Sequence, residues 1–325
     1  MHAYSTPPDL AQRELFVLSV CTRKRPEMLR QCLGSILALK IPDNWQLQVV
    51  IIENDSSPFS QKIVEEYEKL SSFAITYRHE PDPGIPQARN HAIKYALEQD
   101  AEYLGFIDDD ERITPDWLYA VHSTLGTDKC DVVQGVVHQE YDEDNIKPHF
   151  KRNKSHGSSL KTASTDNVAM RRKIYAPSPE GLNLRFNENR RFTGGEDSEF
   201  FFQATDAGAK IICSEKAVVH ERIPVSRSSI IWKMNRAYQA EANASQIYVQ
   251  RKGHIRAFAK YLPKILFRLT KSIVIFLLLI ICFLYNRKTS RKLFSYSAQH
   301  YMAAIGTVAG LRGVQPEPYR SIDKN

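Results

Sequence analysis

Along residues 15–107, short apolar runs of strand length alternate with segments whose apolar residues recur at helical spacing, and this alternation constrains the fold more than any other property of the chain. The first run, residues 15–20 (LFVLSV), is followed by Pro26 and then by Leu29, Cys32, Leu33, Ile36 and Leu37 on one helical face. Residues 47–52 (LQVVII), 74–77 and 103–107 (YLGFI) repeat the strand pattern; residues 60–70 and 87–98 repeat the helical one. A strand covered by helices on both faces is apolar along its whole length, because neither side meets water. The pattern specifies an α/β domain on a mainly parallel sheet flanked by helices.

In such sheets ligands bind beyond the carboxyl ends of the strands, where loop amides and helix N-termini converge. Thr22, Arg23 and Arg25 follow the first strand, Glu53 and Asp55 the second, and Asp108, Asp109 and Asp110 the strand YLGFI, so the three groups are expected on one rim. Neither G-x-G-x-x-G nor G-x-x-x-x-G-K-[ST] follows a strand, which removes the usual support for dinucleotide binding or P-loop chemistry. No G-x-S-x-G elbow is present. The five cysteines are scattered and form no Cys-x-x-Cys pair, as in a reduced protein without a zinc knuckle.

Three adjacent carboxylates repel one another unless they are solvated or hold a cation, and oxygen ligands of this kind suit Mg²⁺ or Mn²⁺ better than zinc. A solvated acidic loop tip is the plainer reading of Asp108, Asp109 and Asp110, but the apolar strand before them aims them at the binding rim. Further on, Gly194 and Gly195 precede Glu196 and Asp197 at the start of a helical stretch carrying Phe200, Phe201 and Ala204. This acidic pair is a candidate general base, or simply charge suited to a helix N-terminus. His220, after a short apolar run, is a candidate metal ligand or phosphate contact. Residues 142–179, polar, basic and irregular, read as a long functional loop that can close over a bound ligand.

The character changes beyond about residue 226. Residues 242–315 hold 12 Lys and Arg and no acid, whereas the rest of the chain has a net charge of −5, so a uniformly basic nucleic-acid binder is excluded and no nucleic-acid partner is expected. On a helical wheel, Ile255, Phe258, Ala259, Leu262, Ile265, Leu266 and Leu269 fall within about 120°. Lys252, Arg256, Lys260, Lys264, Arg268 and Lys271 lie opposite, with a kink expected at Pro263. The 13 uncharged residues 273–285 follow. At 1.5 Å per residue they reach about 20 Å, short of a hydrocarbon core of about 30 Å. We therefore favour an interfacial or re-entrant anchor on an anionic membrane over a single-pass span, its basic residues having no acidic partners nearby in sequence. A buried helix in a larger helical domain is the competing reading. Nothing at the N-terminus reads as an export signal, so catalysis is expected on the cytoplasmic side.

Taken in order, SVCTRKRPEMLRQCLGSI, VVIIENDSS, PGIPQARNHAI, YLGFIDDDE with PDWL, NVAMRR and TGGEDSEFFFQATDAG resemble the inverting glycosyltransferases of family 2, above all bacterial members that build exopolysaccharide or lipopolysaccharide. The resemblance covers about residues 15–220. It implies a GT-A fold over residues 15–225, between an N-terminal tail (1–14) and a C-terminal helical membrane-associating region (226–325). It also implies a nucleoside diphosphate sugar as donor, with a UDP-sugar favoured, a Mn²⁺ or Mg²⁺ cofactor, and a glycan acceptor, which the membrane region makes lipid-linked. Carried over by position, Thr22, Arg25, Glu53 and Asp55 match the nucleoside-binding edge. Arg89 matches a residue near the ribose and diphosphate. Asp108 and Asp110 match the D-x-D element, with Asp109 between them on the donor side and Asp110 and Asp108, with His220, as metal ligands. Asp197 matches the catalytic base and Glu196 a residue that orients the acceptor. Two other readings stay open: a sugar-nucleotide nucleotidyltransferase, disfavoured because its first loop is normally glycine-rich, and a non-catalytic sugar-binding membrane subunit.

Overall fold

The computed structural model describes residues 13–127, 129–141, 149–150, 155–283 and 287–318. Most of the N-terminal tail, and residues 142–148 and 151–154 of the expected loop, lie outside the described residues. In chain order the elements are β1 (Glu14–Thr22), α1 (Pro26–Ile36), β2 (Trp45–Glu53), α2 (Gln61–Glu68), β3 (Ala74–His79), α3 (Ile85–Glu98), β4 (Tyr103–Asp108), β5 (Glu111–Ile113), α4 (Trp117–Thr127), β6 (Val132–Tyr141), β7 (His149–Phe150), β8 (Ser159–Leu160), β9 (Asn167–Arg171), α5 (Glu196–Asp206), β10 (Ile211–Ile223), α6 (Ile230–Lys252), α7 (His254–Phe283) and α8 (Arg287–Leu311).

Two compact units result: one holds the residues up to Arg191 together with Glu196–Arg222, the other Phe192–Gly195 with the residues from Ile223 onward. The first unit is the sheet domain. Its strands run in the order β3-β2-β1-β4-β9-β6-β10-β5, with β7 on β6 and β8 on β10. β3, β2, β1 and β4 are parallel, whereas β9 is antiparallel to β4 and β6, and β10 to β5. The pleat sorts β1 as its sequence demands. Phe16, Leu18 and Val20 enter a core with α1, α2 and α4, and Val17 enters the opposite core with α3 and α5. Each such side chain contributes about 1.5–3 kcal/mol by leaving water.

Register brings the chemistry level. Thr22 pairs with Glu53, Glu53 with His79, and Cys21 with Asp108, so the ends of β1 to β4 share one rim. The expected loop over residues 142–179 instead contains β9, which sits in mid-sheet between β4 and β6. Its five residues (NVAMR) are too few to outweigh the polar sequence around them.

The second unit packs α6, α7 and α8 together. Gly306 and Gly310 let α8 lie directly on α6: a Cβ at Gly306 would come 2.2 Å from the Tyr238 carbonyl oxygen, and one at Gly310 2.0 Å from that of Ala242. α6 was not legible in the sequence, because its buried face is Ala242, Asn243, Ser245, Gln246 and Ile247, mostly small or polar. α7 runs as one helix with Pro263 inside it.

One expectation about α7 is corrected. The basic side was expected to lack acidic partners, but Glu241 of α6, one residue outside the acid-free stretch, lies 3.1 Å from Lys264 Nζ and binds Arg268 Nη2. Lys260 Nζ stands 3.7 Å from the centre of the Tyr248 ring. Tertiary packing thus turns much of the basic side toward α6. Much of the opposite, apolar side is left in the open, with Ile255 87% and Leu266 56% exposed, while Ile265 at its edge packs into the core of the helical unit. Among the described residues no helix is long and apolar enough to cross a membrane.

Candidate active site

A turn of three basic residues organises the first edge of the rim. Lys24 adopts φ 53°, a left-handed conformation that sends its neighbours in different directions. Arg23 Nε approaches Asp55 Oδ2 at 3.6 Å, and Arg25 Nη1 binds Asp109 Oδ1 at 3.0 Å and lies 3.6 Å from Asp110 Oδ2. Thr22 Oγ1 donates to Asp109 Oδ2 at 2.8 Å. Asp109, 4% exposed, therefore spends its carboxylate tying β1 to the end of β4, and Asp108 and Asp110 remain as the flanking acids.

The two acids of the second edge differ. Glu53 is wholly buried, accepting from the Phe59 and Ser60 amides, Ser60 Oγ and Tyr77 Oη, so it holds the loop after β2 and presents no exposed surface. Asp55 Oδ1 accepts from the Ser56 amide at 2.7 Å, while its buried Oδ2 makes no hydrogen bond among the described residues and lies 3.6 Å from both Arg23 Nε and Lys24 Nζ. A buried oxygen left in that state suits a hydroxyl or amide donor from a ligand.

Arg89 joins the two acidic motifs. Held in α3 and 9% exposed, it binds Glu196 Oε1 through Nη1 and lies 3.9 Å from Asp108 Oδ1 through Nη2, with its guanidinium 5.7 Å from the Phe186 ring centre. Burial works against the charge on Arg89, but Glu196, Asp108 and Asp197 outweigh it and keep the guanidinium protonated at every accessible pH. Glu196 is 4% exposed, and burial raises its pKa against the pull of Arg89. Asp197, in the first turn of α5, is partly exposed and accepts from the Ser198 amide at 2.6 Å. Of the Glu-Asp pair, then, Glu196 faces inward as the partner of Arg89, and Asp197 is the carboxylate a substrate can reach.

The expected acidic cluster is larger in the fold than in the sequence. β9 runs antiparallel to β4 with Ile107 opposite Asn167, so the next pair is Asp108 and Asp166, and Glu111 Oε2 accepts the Asp108 amide at 2.9 Å. Asp166 went unnoticed because only this register brings it there. Desolvation at the strand end, reinforced by Asp110, Asp166 and Asp109, pushes the Asp108 carboxyl up to about 7 despite Arg89. The acids here outnumber Arg25 and Arg89, and a divalent cation fits an oxygen-lined cluster short of positive charge.

His220 stands apart from Asp108 and Asp110 in its contacts. Its Nδ1 meets Glu140 Oε1 at 2.9 Å and His138 Nδ1 at 3.2 Å.

These rim residues lie largely inside the segment matched by a known family: the profile described as "Glycosyl transferase family 2" covers residues 18–185. The chain belongs to glycosyltransferase family 2. Among family relatives, it is 30% identical over 247 residues to the succinoglycan biosynthesis protein ExoM of Rhizobium meliloti (strain 1021), covering 74% of this chain and 77% of that one. Its fold is GT-A. The mannosyltransferase PcManGT from Pyrobaculum calidifontis, solved with GDP-Man and Mn²⁺, superposes with TM-score 0.59 at 17% identity, over 94% of this chain and 90% of that one. S. aureus TarS 1–349, solved with UDP-GlcNAc, gives 0.51 at 16% identity over 92% of each chain.

In this glycosyltransferase the boundary between the two compact units falls inside the T-G-G-E-D motif, at Gly195 and Glu196. The Asn243 amide donates to the Thr193 carbonyl at 2.7 Å. Gly195 has φ 80°, and a Cβ there would stand 3.1 Å from Ile247 Cδ1. The residues leading into the Glu-Asp pair are thus anchored on α6, while the pair itself opens α5.

Proposed function

We propose that this protein moves a sugar, with inversion, from a nucleoside diphosphate sugar to a hydroxyl of a lipid-linked glycan during synthesis of a bacterial surface polysaccharide. The observation that carries the reading is Arg89, which brings the Glu-Asp motif and the triple-aspartate strand end into one ionic network. The relationship to a succinoglycan biosynthesis protein supports the exopolysaccharide setting, and the solved complexes with UDP-GlcNAc and GDP-Man support a nucleotide-sugar donor; a UDP-sugar remains the favoured one.

On this reading the nucleoside lies along the edge made by Thr22, Arg25 and Asp55, with Asp55 Oδ2 accepting a hydrogen bond from it. Glu53 serves that edge indirectly, by holding the loop. Asp110 and Asp108 would hold Mn²⁺ or Mg²⁺, which supplies positive charge to the departing diphosphate. Arg89 adds a fixed cation near the same phosphates and keeps Glu196 in place. Asp197 takes the proton from the acceptor hydroxyl as its oxygen attacks the anomeric carbon from the face opposite the leaving group. One displacement from that face inverts the anomeric centre. A donor screen read by nucleotide release tests this: release is expected to need Mn²⁺ or Mg²⁺ and to be lost in Asp110→Asn. Near-wild-type release by that variant across metal concentrations would remove Asp110 from the metal site.

The helical unit would hold the enzyme on the cytoplasmic face of the membrane. The support is the open apolar side of α7, with Ile255, Phe258 and Leu266 exposed together, since contiguous exposed apolar surface marks interaction sites. Burying it adds to the attraction of the basic residues for anionic lipid. Changing Ile255 and Leu266 together to serine is expected to weaken binding to phosphatidylglycerol vesicles by about 10²- to 10⁴-fold, since each buried aliphatic side chain contributes about 1.5–3 kcal/mol. Unchanged vesicle flotation would show that this side of α7 does not meet lipid.

A further inference from the structure

Inside the helical unit, α7 and α8 leave an open trough that the chemistry of sugar transfer does not use. α8 returns antiparallel to α7: Arg268 Nη1 meets Thr307 Oγ1 at 3.2 Å, and further along α7 Ser272 meets Ser297. The second meeting is reciprocal, with Ser272 Oγ donating to the Ser297 carbonyl and Ser297 Oγ to the Ser272 carbonyl, each at 2.9 Å. Both serines are buried, so they set a low floor whose hydroxyls are already committed. Ile273 and Phe276 of α7 and Phe294, Ala298 and Tyr301 of α8 stand around that floor and bound about 300 Å³.

The trough has a direction. Toward the C-terminal end of α7, Leu277 and Ile280 continue the apolar wall at helical spacing from Ile273, both more than half exposed. At 1.5 Å per residue the wall reaches about 14 Å from Lys271 to Ile280, enough for several isoprene units. The other end is positive. Burial, then Lys271 and Arg268, lower the His300 pKa, so this imidazole of α8 stands in an excess of positive charge. Glu241 answers Arg268, but neither α7 nor α8 contains an acid to answer Lys271.

An apolar trough that ends in positive charge fits an apolar chain with an anionic head. A second copy of this helix pair fits poorly, because every charged residue on both helices is basic and the copies would repel. A phospholipid brings two acyl chains to a trough with room for one between its two helices; a prenyl phosphate brings one. We propose that the trough between α7 and α8 binds the prenyl chain of a polyprenyl-linked phosphate, with the phosphate beside Lys271. This rests on the reading that the acceptor is lipid-linked, and it assigns that lipid a place of its own, apart from the general attraction of α7 for the bilayer.

The test uses the full chain in phosphatidylcholine nanodiscs, with a photoreactive geranylgeranyl phosphate as probe and peptide mapping of the crosslink. Sugar donor and glycan are left out, so the outcome does not depend on transfer. Crosslinks are expected within residues 272–301 and should be displaced by undecaprenyl phosphate about tenfold more effectively than by phosphatidylglycerol. Ala298→Trp fills the trough and is expected to cut labelling about tenfold. Lys271→Gln, at an exposed position, is expected to cut it about fivefold, the effect of one basic group beside an anionic lipid head. Circular dichroism checks the fold of both, and Lys271→Gln decides if Ala298→Trp unfolds. Crosslinks elsewhere, equal displacement by phosphatidylglycerol, or unchanged labelling of the folded variants would overturn the proposal. Any of these together with normal transfer to a lipid-linked acceptor would leave the proposed reaction standing, whereas crosslinks in the trough without such transfer would retire that reading and keep the trough as a prenyl site.

Discussion

Replacing Asp197 by asparagine is expected to lower sugar transfer by about 10²- to 10⁴-fold while leaving the affinity for donor nucleotide within about threefold of wild type, because a positioned base contributes on that scale and acts on the acceptor. The structure makes the variant clean. Asp197 is partly exposed at the start of α5 and its Oδ1 accepts from the Ser198 amide, a bond an asparagine oxygen can also accept. The buried carboxylate that Arg89 binds is the neighbouring Glu196, so the ionic network survives. Single-turnover transfer and calorimetric nucleotide binding separate the two effects. A parallel fall in both would make Asp197 part of the donor site.

Replacing Arg89 by methionine should be the most damaging change to the sheet domain that leaves its apolar cores intact. The guanidinium is almost wholly enclosed and faces Glu196 and Asp108, and removing one partner of a buried ion pair costs about 3–5 kcal/mol because the other charge is stranded. Thermal unfolding should register this, and nucleotide release should fall with it. The pH dependence has a definite sign. Burial already raises the Glu196 pKa, and without Arg89 it rises further, so the folded chain holds that proton more tightly than the unfolded one. Arg89→Met should therefore regain stability as the pH is lowered toward the raised pKa of Glu196. Glu196→Gln added to Arg89→Met should also recover part of the loss. If the double variant is as unstable as the sum of the two single ones, the pair is not coupled.

The chain's own order of residues determined a good deal. Continuous apolar runs at residues 15–20, 47–52 and 103–107 can be stable only between two layers of helix, so the covered parallel strands β1, β2 and β4 follow from hydrophobicity alone. Strand ends are where loops emerge, and so Thr22, Arg25, Asp55 and the triple aspartate could be placed on one rim without coordinates. Only the tertiary structure decided what each side chain does there. Glu53, Asp109 and Glu196 carry the same charge as Asp55, Asp110 and Asp197, yet the first three are turned inward onto partners 6 to 107 residues away. Antiparallel pairing with β9 placed Asp166 beside Asp108, and packing of α6 gave Lys264 and Arg268 the acidic partner their own helix lacks. Local sequence governs which face of an element is apolar, because that depends on near neighbours; which charges meet depends on contacts between distant segments, and those exist only once the chain has closed on itself.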